Sequence, residues 1–425
     1  MTRPLFLFAS RDPSAKYRWA LISILAVAAL TSSLIVFPQA FELSKNQDFS
    51  LYDSAARDFL AGDLLAPDFG RNAPGWPLFL ALVYTFLGTS GYALAISQTL
   101  LFVLLVGITW AIARDIFDAR AAFVAAAIAA IWPPLLFQVR HGSSTLLYVV
   151  IITLSALLFA RAIRSGSIRY SLLSGLFLGF GALTDVVGFY LPVAFLAAGM
   201  ISMCLKANHS SWRRRIAIQV LFLCAFAASI VPWTYRNALL FDDFSTQAPI
   251  IAKGEQRYLE PSNMVKAFRP FLVPYESLLW ESVLRIFVFP AGLHNLDPQA
   301  RFSYKEMVVS LLKGKESLGY LQPREAGILF LKSLIVSLHI AMLIGAFTTV
   351  WRLKKEPLAL LALFLSLYII LAVTATVALA NGVFGAITLP NGFLISATPI
   401  LIVLAVVGYG RQIEINGKFS YNAIL

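Results

Sequence analysis

Charge is what this chain has least of. Only 13% of its 425 residues are Asp, Glu, Lys or Arg, against 59% hydrophobic, and the mean hydropathy is +0.77. A soluble enzyme needs more polar surface than that, so the composition is that of a polytopic membrane protein. Cysteine is scarce too: Cys204 and Cys224 both lie in or at the ends of apolar segments. A disulfide framework and a cysteine-rich metal site are thereby excluded, and both residues are expected as small buried hydrophobes. None of the four histidines pairs with another at metal-ligand spacing. His294 and Asp297, three apart in GLHNLDP, make no site alone, so neither metal nor cofactor is expected. Acidic residues are outnumbered 22 to 34, for a net charge of +12. That excess does not mark a nucleic-acid binder, because the basic residues sit in short clusters between apolar runs, the positive-inside pattern.

What the chain has in quantity is apolar run. The basic leader Arg3, Arg11, Lys16 and Arg18 precedes Trp19 to Pro38, which is expected as a retained first span because VFPQAFEL is a poor cleavage site. Further runs of spanning length lie at about Tyr92 to Ala111, Ala119 to Val139, Leu146 to Ile163, Tyr170 to Thr184, Val186 to Leu205, Ile216 to Val231, Ile328 to Val350, Leu358 to Ala380 and Phe393 to Gly408. The expected fold is therefore an all-α polytopic bundle of about ten transmembrane helices.

Pro74 to Gly88, PGWPLFLALVYTFLG, opens with two prolines and is short for a span. Charge decides its status. If it does not cross, 18 basic residues face inward, Arg213, Arg214 and Arg215 among them, against Lys45, Arg57, Arg71 and Arg140 in the shorter outer segments. If it crosses, that cluster turns outward. It is therefore expected as a re-entrant or juxtamembrane helix. The outer face then has two substantial loops, 39–91 and, after span 7, Trp233 to Glu325, which carries 11 basic and 10 acidic residues. The inner loops are all short, so the machinery must face outward. The expected organisation is a cytoplasmic N-terminus (1–18), a transmembrane core (19–231), a long outer loop (232–326), C-terminal transmembrane helices (327–409) and a cytoplasmic tail (410–425).

Within the first outer loop, Tyr52, Ala55, Ala56, Phe59 and Leu60 repeat at helical spacing. That stripe is expected to lie flat on the interface, with Asp53 and Arg57 on the wet side. Ser50 and Asp53 form a capping box that predicts a helix start near Ser50. Asp48 precedes it and is not needed as the cap. A carboxylate held at the membrane surface beside such a helix suits chemistry on a lipid-borne substrate.

Five segments carry a family resemblance. Asp48, Tyr52, Ala56 and Arg57 reproduce a D-x(3)-Y-x(3)-A-R spacing; APGWPLFLALVYTFLG, IARDIFDARAAFVAA, GLFLGFGALT and VPWTYRNALLFDDFST follow in order. Together they resemble the bacterial members of the protein O-mannosyltransferase and lipid A aminoarabinose transferase group, integral-membrane glycosyltransferases of the GT-C fold. The similarity covers about residues 15 to 260. It implies inverting transfer of a sugar from a polyprenyl-phosphate donor to a glycan, lipid or protein acceptor at the outer face, with membrane lipids as surroundings.

In that resemblance the catalytic base maps onto Asp48, because an attacking hydroxyl must lose its proton as the phosphate leaves. The departing phosphate needs cations. Arg236 in PWTYRN is the best-placed candidate, with Arg57, Arg71, Arg140 and His141 behind it. Tyr52 is a possible substrate contact and, with Trp76, a candidate for interfacial packing. Three departures stand out. Ser143, Ser144 and Thr145 occupy a position where relatives carry a second acid, Asp185 stands where they often have arginine, and GVFGAITLP lacks their basic-aromatic pair. Asp185 lies between two apolar runs, where a carboxylate needs water or a partner, and it is a candidate for binding acceptor hydroxyls. The absence of a soluble domain or long polar tail favours, by analogy, a bacterial inner membrane. A transporter or lipid flippase would need polar residues along the span interiors, which are nearly free of charge apart from Lys332. A non-catalytic partner with the same fold is the third alternative.

Overall fold

The computed structural model describes residues 15–40, 47–62, 74–185, 188–189, 191–205, 212–241, 337–338, 341–349 and 398–406. Among these the regular elements are helical: α1 (Ala15–Val36) with a 3-10 turn (Phe37–Gln39), α2 (Gln47–Leu60), α3 (Gly75–Leu87), α4 (Gly91–Ile116), α5 (Ala119–Ile131), α6 (Pro133–His141), α7 (Ser144–Ser165), α8 (Ile168–Ala182), α9 (Leu191–Leu205) and α10 (Trp212–Phe241). Residues 341–349 and 398–406 are helical as well.

Four of these helices are long and apolar enough to cross a membrane: Trp19–Val36, Gly91–Ile116, Ser144–Ser165 and Trp212–Leu239. The chain is an integral membrane protein. α5 and α6 count as a fifth span only if the pair is taken together, since they bend by 50°. The single straight span expected from Ala119 to Val139 is thus broken. Pro133 and Pro134 lack the N–H groups that would continue α5, while the first turn of a new helix tolerates them. α8 and α9, at 15 residues each, are shorter than a standard span. The expected second loop does not begin at Trp233, since α10 runs on to Phe241; the rest of that loop, with His294 and Asp297, and the expected span from Leu358 to Ala380 lie outside the described residues.

α7 is the central helix, its apolar window 83% buried, whereas α1 is only 22% buried and lies at the periphery. Against lipid there is little hydrophobic gain in burying a leucine, so helix pairs are held by close packing and polar contacts. α8 shows both. A Cβ on Gly175 would strike the Phe222 carbonyl, and one on Gly179 would lie 2.8 Å from the Phe226 carbonyl, so these glycines let α10 approach to backbone contact. Ser171 donates to the Ile218 carbonyl at 2.6 Å, and Ser155 and Ser174 exchange hydrogen bonds with each other's carbonyls at 2.9 and 2.8 Å. The small residues of GLFLGFGALT are therefore a packing surface. On the far side of α10, Cys224 is exposed, not buried as expected. It stands on the face that also exposes Val220 and Leu223.

Polar contacts also mark the two ends of the bundle. At the end expected to face inward, Asp115 accepts from Arg161 Nε at 2.5 Å, Arg164 donates to the Asp115 carbonyl at 3.1 Å, and Arg214 donates to the Gly166 carbonyl at 3.0 Å. Asp118 caps α5 by accepting from Ala121 N at 2.7 Å. These bonds give IARDIFDAR a structural role. At the opposite end Gly91 abuts the Ala40 carbonyl, and Gln98 donates to the Ser143 carbonyl at 3.2 Å. α2 and α3 pack against each other at this end.

Candidate functional site

The segment expected as the first outer loop departs from expectation in how it is held. α2 begins at Gln47, three residues before Ser50, so Asp48 stands in the first helical turn and Ser50 is no cap. The apolar stripe of α2 is covered by protein and does not lie bare on the interface. Ala55 and Ala56 are buried, and Tyr52 and Phe59 pack against the core. Leu60 alone of the five is exposed.

α3 is the reason. At 13 residues it is about 20 Å long, short of a ~30 Å hydrocarbon core. Its amino end is docked on the end of α8, where Gly75 N donates to the Leu183 carbonyl at 2.6 Å and the glycine leaves no room for a side chain against Thr184. PGWP and GALT are therefore two halves of one contact, with Trp76 fully buried beside it. Asp185 follows directly. It is half-buried in a turn whose backbone bonds run from Asp185 N to Gly181 O and from Gly188 N to Asp185 O, both at 2.9 Å.

α2 and α3 are then joined by a polar clamp. Asp53 accepts from the Tyr84 hydroxyl at 2.6 Å and from Arg57 Nε at 2.9 Å, while the Arg57 guanidinium lies 6.0 Å from the Tyr84 ring centroid. Asp53 is thus turned toward α3 and is not simply a wet-face residue. Its hydrogen bond to Asp53 raises the Arg57 pKa, and burial followed by the hydroxyl's own bond to Asp53 raises that of Tyr84. Neither Asp53 nor Tyr84 stands out in the sequence as a site residue. The signal was available: Pro77, Leu80, Ala81 and Tyr84 share one face of α3, and a tyrosine on a buried stripe needs a partner for its hydroxyl.

The PWTYRN end of α10 completes the cluster. Trp233 packs against Ala55, as do Phe59 and Leu78, bringing α10 onto α2 at the residue that α3 also covers. The Arg236 guanidinium lies 4.5 Å from the Trp233 ring centroid and donates to Asn237 Oδ1 at 2.9 Å. The structure therefore brings Tyr52, Arg57, Asp185 and Arg236 to one end of the bundle, around the helix that carries position 48. Arg140 is exposed on α6, which packs against α1, α4, α5 and α7. Arg71 and the side chains of Asp48 and His141 lie outside what is described.

Residues 71–235 match the family described as dolichyl-phosphate-mannose-protein mannosyltransferase. A search of curated protein sequences finds no match. Among solved structures, the Archaeoglobus fulgidus oligosaccharyltransferase in its apo form superposes with a TM-score of 0.55 at 15% identity, covering 97% of this chain and 54% of that one. The oligosaccharyltransferase AglB of the same organism, in complex with an inhibitory peptide and a dolichol-phosphate, gives 0.52 at 15% identity, covering 96% and 53%. The Cupriavidus metallidurans ArnT bound to undecaprenyl phosphate is more distant, with a TM-score of 0.42 at 16% identity over 96% and 82%. The chain thus has the GT-C membrane fold, as its five motifs imply, and spans about half the length of the archaeal oligosaccharyltransferases that it matches.

Proposed function

We propose that this protein is a GT-C-type glycosyltransferase that moves a sugar, with inversion, from a polyprenyl-phosphate-linked donor to an acceptor hydroxyl or phosphate. The observation that carries the reading is the convergence of α2, α3, the end of α8 and the PWTYRN end of α10 through the contacts of Trp233 and Gly75. Those elements hold four of the five motif segments. The match of residues 71–235 to a dolichyl-phosphate-mannose-dependent family supports the same chemistry. So does a dolichol-phosphate complex in a protein of similar fold.

In this reading Asp48 removes the acceptor proton as the anomeric carbon is attacked. Arg236 and Arg57 meet the charge that grows on the departing phosphate, and a guanidinium can do so with two parallel hydrogen bonds. Asp185, one residue past the Gly75 contact, orients acceptor hydroxyls. The site faces the outer side of the membrane, the periplasm or cell exterior of a bacterium.

The test is Asp48→Asn, which keeps size and polarity but removes the proton acceptor. Transfer should fall by at least ~100-fold with unchanged accumulation of protein. Normal turnover in this variant would remove the assignment of the base.

A further inference from the structure

Among the described residues, Arg57 is held through its Nε. Its Nε donates to Asp53 Oδ2 at 2.9 Å, while its side chain remains 51% exposed and that of Asp53 only 23%. Asp53 Oδ1 accepts from the Tyr84 hydroxyl at 2.6 Å, and Tyr84 is only 5% exposed, fixed in the core by α3. The two carboxylate oxygens are thereby used for different purposes: one is anchored to a rigid phenol, the other grips the arginine. The guanidinium also lies over the Tyr84 ring, 6.0 Å from its centroid, at the outer reach of a cation–π contact. Gripping Nε occupies one edge of the planar guanidinium and leaves its outer edge, one N–H from each terminal amino group, able to bind two oxygens of a phosphate. An exposed arginine on a helix would otherwise lose rotamer freedom on binding.

From this geometry we infer that Asp53 and Tyr84 are positioning residues that prepare Arg57 to clamp the phosphate of a polyprenyl carrier. The inference rests on the proposed function above, in which Arg57 meets that phosphate. Asp53 contributes no net attraction to the anion; it orders the cation before the ligand arrives. Tyr84 acts through Asp53 and does not touch the ligand.

Binding of undecaprenyl phosphate to the full-length protein tests this, in micelles that contain excess phosphatidylglycerol so that a general headgroup site is saturated in every variant. Tyr84→Phe, which removes one hydroxyl and keeps the ring, is expected to weaken binding roughly tenfold, the low end for one hydrogen bond to a charged group. Arg57→Ala should weaken it more, and adding Tyr84→Phe to Arg57→Ala should change nothing further, because a residue that acts only through Arg57 has nothing left to act on. A role of Tyr84 in stability alone would instead add in full to the arginine loss. Arg57→Lys, at a half-exposed position that tolerates exchange, should bind as weakly as Arg57→Ala, since an ammonium cannot be gripped and still present a paired edge. Wild-type affinity in Tyr84→Phe or Arg57→Lys, or full additivity, overturns the inference and leaves the proposed function standing. No binding of undecaprenyl phosphate by the wild type overturns both.

Discussion

One methyl group added to Gly75 should separate the fold from its site. The Leu183 carbonyl oxygen and Thr184 N each stand 2.8 Å from where a Cβ would be, and Thr184 Oγ1 stands closer. Two of the three are backbone atoms of the turn that ends α8, so they cannot rotate away. Restoring ordinary contact at 3.4 Å moves α3 by about 0.6 Å. That shift strains the 2.6 Å bond from Gly75 N to the Leu183 carbonyl, worth about 1 kcal/mol. Overpacking adds roughly 1 to 3 kcal/mol. Gly75→Ala should therefore weaken the docking of α3 by about 2 to 4 kcal/mol and carry Tyr84, Asp53 and α2 with it. Because a displacement near 1 Å costs about 100-fold in rate, transfer activity should fall at least tenfold. Purified protein in detergent would be compared with wild type for apparent unfolding temperature and donor turnover. Wild-type values for both would refute the claim that PGWP and GALT form one contact that positions the site.

Arg236→Lys should reduce donor affinity about fivefold or more, because lysine keeps the charge but loses both the planar stack on Trp233 and the paired donors; Arg236→Ala should reduce it further. Equal affinity in wild type and the Lys form would reduce Arg236 to a headgroup anchor. A cysteine at Thr89 should react with an impermeant thiol reagent from outside while one at Ser211 reacts only after permeabilisation; the reverse would mean that α3 crosses the membrane. Tyr84 has its pKa raised above the ordinary 10.0 by burial and then by Asp53, so the stability its proton contributes is fully present below that pH and is lost progressively from there until pH has passed the higher folded value. In an alkaline difference spectrum between wild type and Tyr84→Phe, Tyr84 should stay protonated after ordinary tyrosines have ionised; titration alongside them would contradict the buried bond to Asp53.

What could be read from the sequence follows from what periodicity encodes. α4 and α7 are continuous apolar runs bounded by charge or turn residues, and nothing but a span fits them. The period of α2 marks Tyr52, Ala55, Ala56 and Phe59 as one face, but a period does not say whether lipid or protein covers that face. Here protein does, through Leu78 and Trp233. The same gap hid Asp53, since pairing with Tyr84, 31 residues later, is a tertiary fact. The break at Trp132 was written in the two prolines that follow it, and the hydrophobicity of the stretch masked it. Among the candidate site residues, Arg57 and Arg236 stand in motifs, whereas the groups that contact them, Asp53 and Trp233, carry no signal of function in isolation. Of the five motifs, GALT and IARDIFDAR are joints of the scaffold: Gly75 N donates to the Leu183 carbonyl, and Asp115 and Asp118 make bonds between and within helices.

The most direct test of the account is the fate of a polyprenyl-phosphate sugar given to the wild-type protein in sealed vesicles together with an extract of envelope acceptors. Glycosyl transfer predicts that free polyprenyl phosphate accumulates in step with sugar on the acceptor fraction, and that both stop in Asp48→Asn. Movement of the intact sugar lipid from one leaflet to the other, with no polyprenyl phosphate released, would contradict it and make the protein a flippase.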